Sequence, residues 1–535
     1  MVFLSFIMSV FVAIQDPIIQ KFAIRIAGGY ISSKTGAEVQ IGRLYISPNF
    51  TIHIDHFLVK DLREHTLLGV EELRVRPIME DIVHGEIHIG RVELNNAEAN
   101  LIKYKDSTQM NLQFLIDAFT LDKKEREKPV VVDVDRVLLK KLNFQLWDQN
   151  RDDPLKTANG LMDYAHLVID DINLDLEGLR VIGDSITGTI HHLAGKEISG
   201  FTIKYLESDL NVSQSGILLD GLRLQTSNSN LSLDLHMLYN NYQAFRTFVD
   251  SVTFDTPVYP SDILLTDLGP FTNRLYQMPD LIHFEGVMRG PVRRFSLNDL
   301  KFSFGEDTDF EGSLSIEPIN FTKGQQTLNI KRMNFTYDDL ANFHIPIPSQ
   351  TIPIPAALKP MGHGTLTGYF DGSFKKFSTD LAVASEMGDV HATLTKHVND
   401  LQYNVIEGNV DAECLDIGLL ANASDIIGTL DLSANIIGRQ PKGGDMDIDI
   451  EGEVIDVFLL GNEIDEIAFN GNLHRKCFNG KVSVDDNELG LDFKGRFDFS
   501  DPKALAGNFK ADITKADLHK LNLIKNDNIA TLSCS

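Results

Sequence analysis

Apolar and polar residues alternate along most of the chain. The cleanest stretch is 489–499 (LGLDFKGRFDF), where Leu489, Leu491, Phe493, Phe497 and Phe499 all fall on one parity. Leu231, Leu233 and Leu235 repeat the pattern against Ser232, Asp234 and His236. A period of two puts one set of side chains on each face of a strand, so these segments read as strands wet on one side only. Similar runs predict strands at 137–146, 172–176, 201–205 and 222–224, and shorter ones at 39–45, 51–59, 72–75, 86–94 and 99–104. Asp485-Asp486-Asn487 predicts a hairpin turn between 482–484 and 489–499. Helical spacing is confined to short pieces. Pro17 opens one in which Ile18, Ile19, Phe22, Ala23, Ile26 and Ala27 recur, and 111–119 is a second. Brief helices are also expected from Ser261 or Asp262 to Leu268 and over 270–276.

One unit occurs twice. Residues 286–296 (GVMRGPVRRFS) and 368–378 (GYFDGSFKKFS) share Gly, three residues, Gly, one residue, an apolar residue, a basic pair, Phe and Ser. Arg289, Asp371 and the basic pairs exclude an apolar helix built on the Gly-x-x-x-Gly spacing. The unit reads as a strand-turn-strand step, with glycine permitting the bend and Phe295 and Phe377 on the apolar side. The pairs Arg293-Arg294 and Lys375-Lys376 have two readings, contact with lipid headgroups at a rim or exposed charges that discourage edge pairing.

A long series of one-sided strands must cover its apolar face, because each buried Leu, Ile or Phe contributes about 1.5–3 kcal/mol. With so little helical pattern, four arrangements stand: two packed sheets, a closed barrel, a stacked β-helix, or one long sheet curled around an apolar groove. Some 35–40 short strands are expected. Four segments and two linkers frame them: an anchor at 1–14, an α+β region at 15–120, a charged linker at 121–129, a β region at 130–344, a proline-rich linker or edge at 345–360, and a β region at 361–535. Prolines 346, 348, 353, 355 and 360 remove ladder donors from the last linker.

Composition narrows the partners. The chain has 535 residues, 43% of them hydrophobic, and a net charge of −27, which repels nucleic acid phosphates and leaves membrane contact to apolar residues. Cys414, Cys477 and Cys534 have no CxxC spacing, so neither a disulfide framework nor a zinc site is indicated. Residues 2–14 (VFLSFIMSVFVAI) are uncharged, but a helix of that length covers about 20 Å of a roughly 30 Å hydrocarbon core. No basic start precedes them and no clear cleavage site follows. They are expected to form a truncated, uncleaved membrane anchor carried by Phe3, Leu4, Phe6, Ile7, Val10, Phe11, Val12 and Ile14. The C-terminus is likewise expected to be a truncation, since an array normally ends in a cap.

The order of features resembles the N-terminal part of the AsmA-like, TamB-type (translocation and assembly module) envelope proteins in the form found in Bacteroidota. The resemblance rests on 17–47 with its GAEVQIGRLYIS, on 65–104 (HTLLGVEELRVRPIMEDIVHGEIHIGRVELNNAEANLIKY), on 111–119, on 200–237, and on the paired Gly-Phe units. It covers nearly the whole chain through diffuse patterning and no catalytic motif. It implies a single-pass inner-membrane anchor, a periplasmic body made of a long curled β-sheet with an apolar groove (a β-taco), and traffic of phospholipid toward the outer membrane. It also implies partnership with an Omp85-type outer-membrane barrel through a C-terminal domain that has no counterpart in this sequence.

No catalytic constellation emerges: GxSxG, HExxH and P-loop motifs are missing from the sequence. His53 and His56, three apart on a strand, are expected on opposite faces, and His191-His192 fail as a metal pair for the same reason; His84 and His88 are too far apart for one ion without a bend. Asp445, Asp447, Asp449 and Glu451 line one strand face without an EF-hand turn and read as a solvated row. Asn-x-Thr/Ser acceptor patterns such as those at Asn49, Asn211, Asn320 and Asn334 are of the kind an Asn- and Ser-rich chain produces by chance.

The expectation is therefore a protein without catalytic residues, cofactor or metal. Three functions remain open: a conduit whose apolar face takes up phospholipid acyl chains, an assembly factor that lends strand edges to outer-membrane polypeptides, and an exported β-solenoid adhesin. The groove candidates are Leu231, Leu233, Leu235, Phe295, Phe377, Leu489, Leu491, Phe493, Phe497 and Phe499.

Overall fold

The alternating segments are strands, and most are longer than the sequence pattern marks. The computed structural model describes residues 29, 32–33, 35–78, 88–120, 131–151, 160–318, 324–345, 350–373, 375–399, 401–459, 461–487, 489–498 and 506–517. The expected anchor, the helix after Pro17, the linker at 121–129, His84, Cys534 and Phe499 lie outside these residues. The protein is mainly β, with a few short helices, and falls into two compact units, residues 1–284 with 346–348 and residues 285–345 with 349–535.

The first unit opens with β1 (Val39–Ile46), β2 (Ile52–Lys60), β3 (Thr66–Pro77) and β4 (His88–Lys103), an antiparallel series. β5 (Val131–Asp148) then lies parallel to β4. A parallel neighbour needs a crossover, and the helix Gln113–Thr120 lies in that connection, close to the expected 111–119. Antiparallel pairing resumes with β6 (His166–Ile182), β7 (Ser185–Glu197), the short β8 (Thr202–Ile203), β9 (Tyr205–Ser213), β10 (Gly216–Gln225), β11 (Asn230–Leu238) and β12 (Thr253–Leu264).

The second unit is a meander. β13 (Leu281–Pro291) leads into β14 (Phe295–Phe304), β15 (Thr308–Glu317), β16 (Gln325–Thr336), β17 (His363–Ser373), β18 (Lys376–Ser385) and β19 (Gly388–Val398). It continues through β20 (Asn404–Asp416), β21 (Ile427–Gln440), β22 (Asp447–Leu459), β23 (Asn462–His474), β24 (Cys477–Asp485), β25 (Leu489–Asp498) and β26 (Ala506–Ala516). From β14 onward every strand pairs antiparallel with the next. The predicted turn after β24 is present: the Asp486 side chain accepts from the Leu489 backbone N–H.

Among the described residues there are twenty-six strands, and bulges explain why some predicted short runs merge into one strand. The expected strands at 86–94 and 99–104 are one strand, β4, which passes through Asn96 in the left-handed region (φ 49°). Lys141, Asp171, Asp299, Cys414 and Glu466 do the same in β5, β6, β14, β20 and β23. Such residues break the period of two locally while the ladder continues, and they bend the strand. A helix starting at Ser261 or Asp262 is not found. Asp262 stays in the ladder opposite Asn230, and the Ser261 hydroxyl accepts from the Ser232 N–H, so the 3-10 turns begin later, at Leu265–Phe271 and Asn273–Leu275.

Both copies of the paired unit are strand-turn-strand steps. In one, β13 ends at Pro291 and β14 starts at Phe295; in the other, Ser373 faces Lys376 across the β17–β18 hairpin. The glycines serve close approach inside the strands as well as the turns. Gly368 has φ +130°, and a Cβ there would lie 1.9 Å from the Asp380 carbonyl oxygen.

Candidate functional site

In the second unit the ladders bring apolar residues into rows that cross the sheet. Starting at Phe302 in β14 and stepping one strand at a time, the facing residues are Phe310, Met333, Leu366, Val383, Val390 and Ala412. The row continues through Leu432, Val454, Ile467, Val484, Leu491 and Ile513 in β26. No polar residue interrupts it, and at about 4.8 Å per strand it runs roughly 55–60 Å. A second row, from Leu300 to Ala511 by way of Ile330, Leu381, Phe469, Val482 and Phe493, contains only apolar residues and glycines. Two more lie beside these, one from Leu297 to Phe509 and one from Phe295 to Gly507 through Phe377, Phe478 and Phe497; their polar members are Thr379, Gln326 and Lys396.

The first unit repeats the device. Leu44, Ile54, Leu73, Leu94, Leu139, Leu174 and Leu193 face one another in turn from β1 to β7. Further along, Leu210, Leu219 and Leu235 align, as do Leu206, Leu224 and Leu231. Leu233 and Leu235 pack against the cluster of Leu176, Ile190, Leu206 and Leu222.

Exposure distinguishes these rows from an ordinary core. In the row from Phe302 to Ile513, all but Phe310, Ala412 and Val484 keep part of their surface accessible, and Phe509 at its end of the neighbouring row is 53% exposed. The others are partly buried, Leu432, Val454, Ile467, Leu491 and Ile513 against one buried cluster and Phe302, Met333 and Leu366 against another. A Leu or Phe left about a quarter exposed forfeits roughly 0.4–0.7 kcal/mol of its burial term. An apolar ligand that covers the face collects it.

Of the sequence-chosen candidates, Leu231, Leu235, Phe295, Phe377, Leu491, Phe493 and Phe497 fall on these rows, while Leu233 faces Leu222 and Leu489 faces Ala516. Leu489, Leu491, Phe493 and Phe497 share one face of β25, with exposed Asp492, Lys494 and Arg496 on the other. Phe377 lies against Phe370, ring centroids 5.2 Å apart, and Phe295 faces buried Ile316. Sequence reasoning did not single out Lys396, the charged member of the four rows. It is half-buried, its ammonium 5.9 Å from the centre of the Phe377 ring, and its sequence signal is a Lys on the apolar parity of Val390, Ala392 and Leu394.

The opposite face is polar, and several of its acidic groups are paired. Asp447 pairs with His474 at 2.6 Å, Asp445 with Arg475, and Asp449 with Arg439 and Asn472, whose bonds hold the Asp449 carboxyl below its ordinary range. Glu451 is exposed. His88 lies 2.9 Å from Asp135, and His191 2.6 Å from Glu177. His53 stacks on Tyr45, and the bulge at His56 (φ 54°) removes that residue from simple alternation. Across β21, β22 and β23, Asp431, Asp456 and Asp465 face one another, and partial burial followed by the two like charges pushes Asp456 up. Among the described residues no group of His, Cys, Asp or Glu has the arrangement of a metal site. No helix among them is long and apolar enough to cross a membrane. Comparison with protein-family models, with curated proteins and with solved structures finds no match to this chain.

Proposed function

We propose that the protein is a non-enzymatic carrier whose apolar sheet face takes up the acyl chains of phospholipid and passes them along the rows. The observation that carries this reading is the pair of rows from β14 to β26 that no polar side chain interrupts and most of whose members stay partly exposed, with Phe310, Ala412, Val484, Leu300, Ile330 and Ala434 buried among them. A core would close over them; a sliding surface for hydrocarbon must remain accessible and uniform, so that no position traps the chain. The expected curl around a groove is not found among the described residues of the second unit, whose sheet is open, so in this reading the lipid lies on an open apolar face. In this reading residues 2–14 hold the chain at the inner membrane, the body stands in the periplasm, and lipid moves toward the outer membrane for envelope biogenesis.

The test uses the full chain purified in mild detergent. Extraction and mass spectrometry are expected to find phospholipid bound, and the protein is expected to speed transfer of a fluorescent phospholipid between vesicles. Replacing Leu491 and Phe493 by Asp places charges in both uninterrupted rows and is expected to abolish both signals while the far-UV circular dichroism remains that of a β protein. A wild-type protein that binds no lipid and leaves the transfer rate unchanged refutes the reading. Transfer retained in the double variant would move the function to strand-edge pairing with polypeptides.

A further inference from the structure

Charge in the second unit is largely sorted between its two edges, with Lys359 in the β16–β17 connection and Glu317 at the end of β15 as exceptions. In an antiparallel meander successive turns fall on opposite edges, so every second hairpin shares one. The edge that holds the turn before β14 and the β17–β18, β21–β22 and β23–β24 turns carries Arg293, Arg294, Lys375, Lys376 and Lys442, then Arg475 and Lys476, all exposed. The opposite edge, at the β14–β15, β18–β19, β20–β21 and β24–β25 turns, carries Glu306, Asp307, Glu386, Asp425, Asp485 and Asp486. In a chain of net charge −27 a run of basic turns is not what composition supplies. Partners account for part of it: Arg294 reaches Glu317 at 3.4 Å, and Arg475 pairs with Asp445.

The basic edge borders the apolar rows. The row through Phe295, Phe377 and Phe478 is the one nearest that edge, and Lys396 belongs to it. A lysine stem lies along apolar surface while its ammonium reaches toward the polar boundary. From Phe377 to Val383, the width of the four rows on β18 is six residues, about 20 Å at 3.3 Å per residue. One acyl chain in a bilayer leaflet occupies about 15 Å, half of the hydrocarbon core. A phospholipid tail lying along the strands therefore fits between the two edges, with its phosphate at the basic one. Turns on the same edge recur about every 10 Å, close to a Debye length in physiological salt, so the β21–β22 and β23–β24 turns act on one headgroup together, while the basic turns before them stand about 20 Å apart.

We propose that this edge orients and selects the cargo: the second unit binds phospholipids of net negative headgroup in preference to zwitterionic ones, with the headgroup against the basic turns and Lys396. The proposal rests on the carrier reading above. The acidic edge repels the same headgroup and so fixes a single orientation across the sheet.

The experiment compares transfer of fluorescent phosphatidylglycerol and phosphatidylcholine by the full chain, wild type and with Lys375→Glu, Lys376→Glu, Arg475→Glu and Lys476→Glu combined. These side chains are exposed in turns and leave the apolar rows intact. The wild type is expected to favour phosphatidylglycerol by roughly five-fold at low salt, with the preference shrinking as salt rises. The variant is expected to lose the preference and still carry phosphatidylcholine. The same substitutions made to Gln, with the circular dichroism of both variants checked, separate loss of charge from damage to the turns. Equal transfer of the two lipids by the wild type, or a preference that survives charge reversal, overturns the headgroup proposal and leaves the carrier standing. Transfer of neither lipid overturns both.

Discussion

Asp267 shows how single carboxylates hold the hairpins of this sheet. It accepts from the Thr226 hydroxyl, from the backbone N–H and side-chain amide of Asn228, and from the Ser229 hydroxyl, so it clamps the turn between β10 and β11 from outside. Burial pushes its carboxyl up, but these bonds outweigh burial and hold it below the ordinary range. Asp339 does the same for the turn before β15, accepting from the Glu306 and Asp307 N–H groups and the Thr308 hydroxyl. A depressed folded-state pKa contributes stability that is present above the unfolded carboxylate range near 4 and is lost as pH falls through the folded value. Asp267→Ala is therefore expected to cost roughly 1–3 kcal/mol at pH 7 in urea denaturation, with the gap to wild type closing in acid. Asp456 has the opposite sign. Its carboxyl is raised, so ionising it opposes folding above the unfolded range, and Asp456→Asn is expected to stabilise the protein at pH 7 by about 0.2–1 kcal/mol. A denaturation midpoint that falls in this variant contradicts the repulsion between Asp431, Asp456 and Asp465.

At the scale of the element, strand identity follows from alternation, whereas strand length follows from residues that tolerate a bulge. The predicted turn at Asp485-Asp486-Asn487 and the parity of Leu489 to Phe497 were legible because both are local. The union of 86–94 with 99–104 was not, because it depends on Asn96 taking φ 49° while Asn95 and Ala97 keep their partners Glu72 and Val70. Glycines inside strands mark where two backbones approach too closely for a side chain. At Gly368 an added Cβ meets the Asp380 carbonyl at 1.9 Å with φ already at +130°, and at Gly408 it meets the Thr393 carbonyl at the same distance. Gly368→Ala is expected to destabilise the second unit by at least about 1 kcal/mol. Hydrogen exchange should show the loss first in β17 and β18, and a variant with unchanged protection there would mean that the hairpin absorbs the clash.

For the whole molecule the governing conflict is between a partly exposed apolar face and a net charge of −27. Self-repulsion keeps copies apart at neutral pH while hydrophobic faces favour their association. As the carboxylates are protonated between about pH 5 and 4, the charge falls and the face remains. Light scattering is therefore expected to show self-association over that range, suppressed by saturating phospholipid; a protein that stays monomeric without lipid would have its apolar face covered by its own chain. The sequence by itself determined the one-sided strands, the recurrence of the Gly-Phe step and the residues available to an apolar face, because parity is a property of neighbours along the chain. Only the tertiary structure decided that those residues meet in rows across thirteen strands, that Lys396 stands among them, and that basic and acidic turns separate to opposite edges. Each of these depends on the pairing register, which joins residues far apart in sequence, and a shift of one position would have turned every row to the other face.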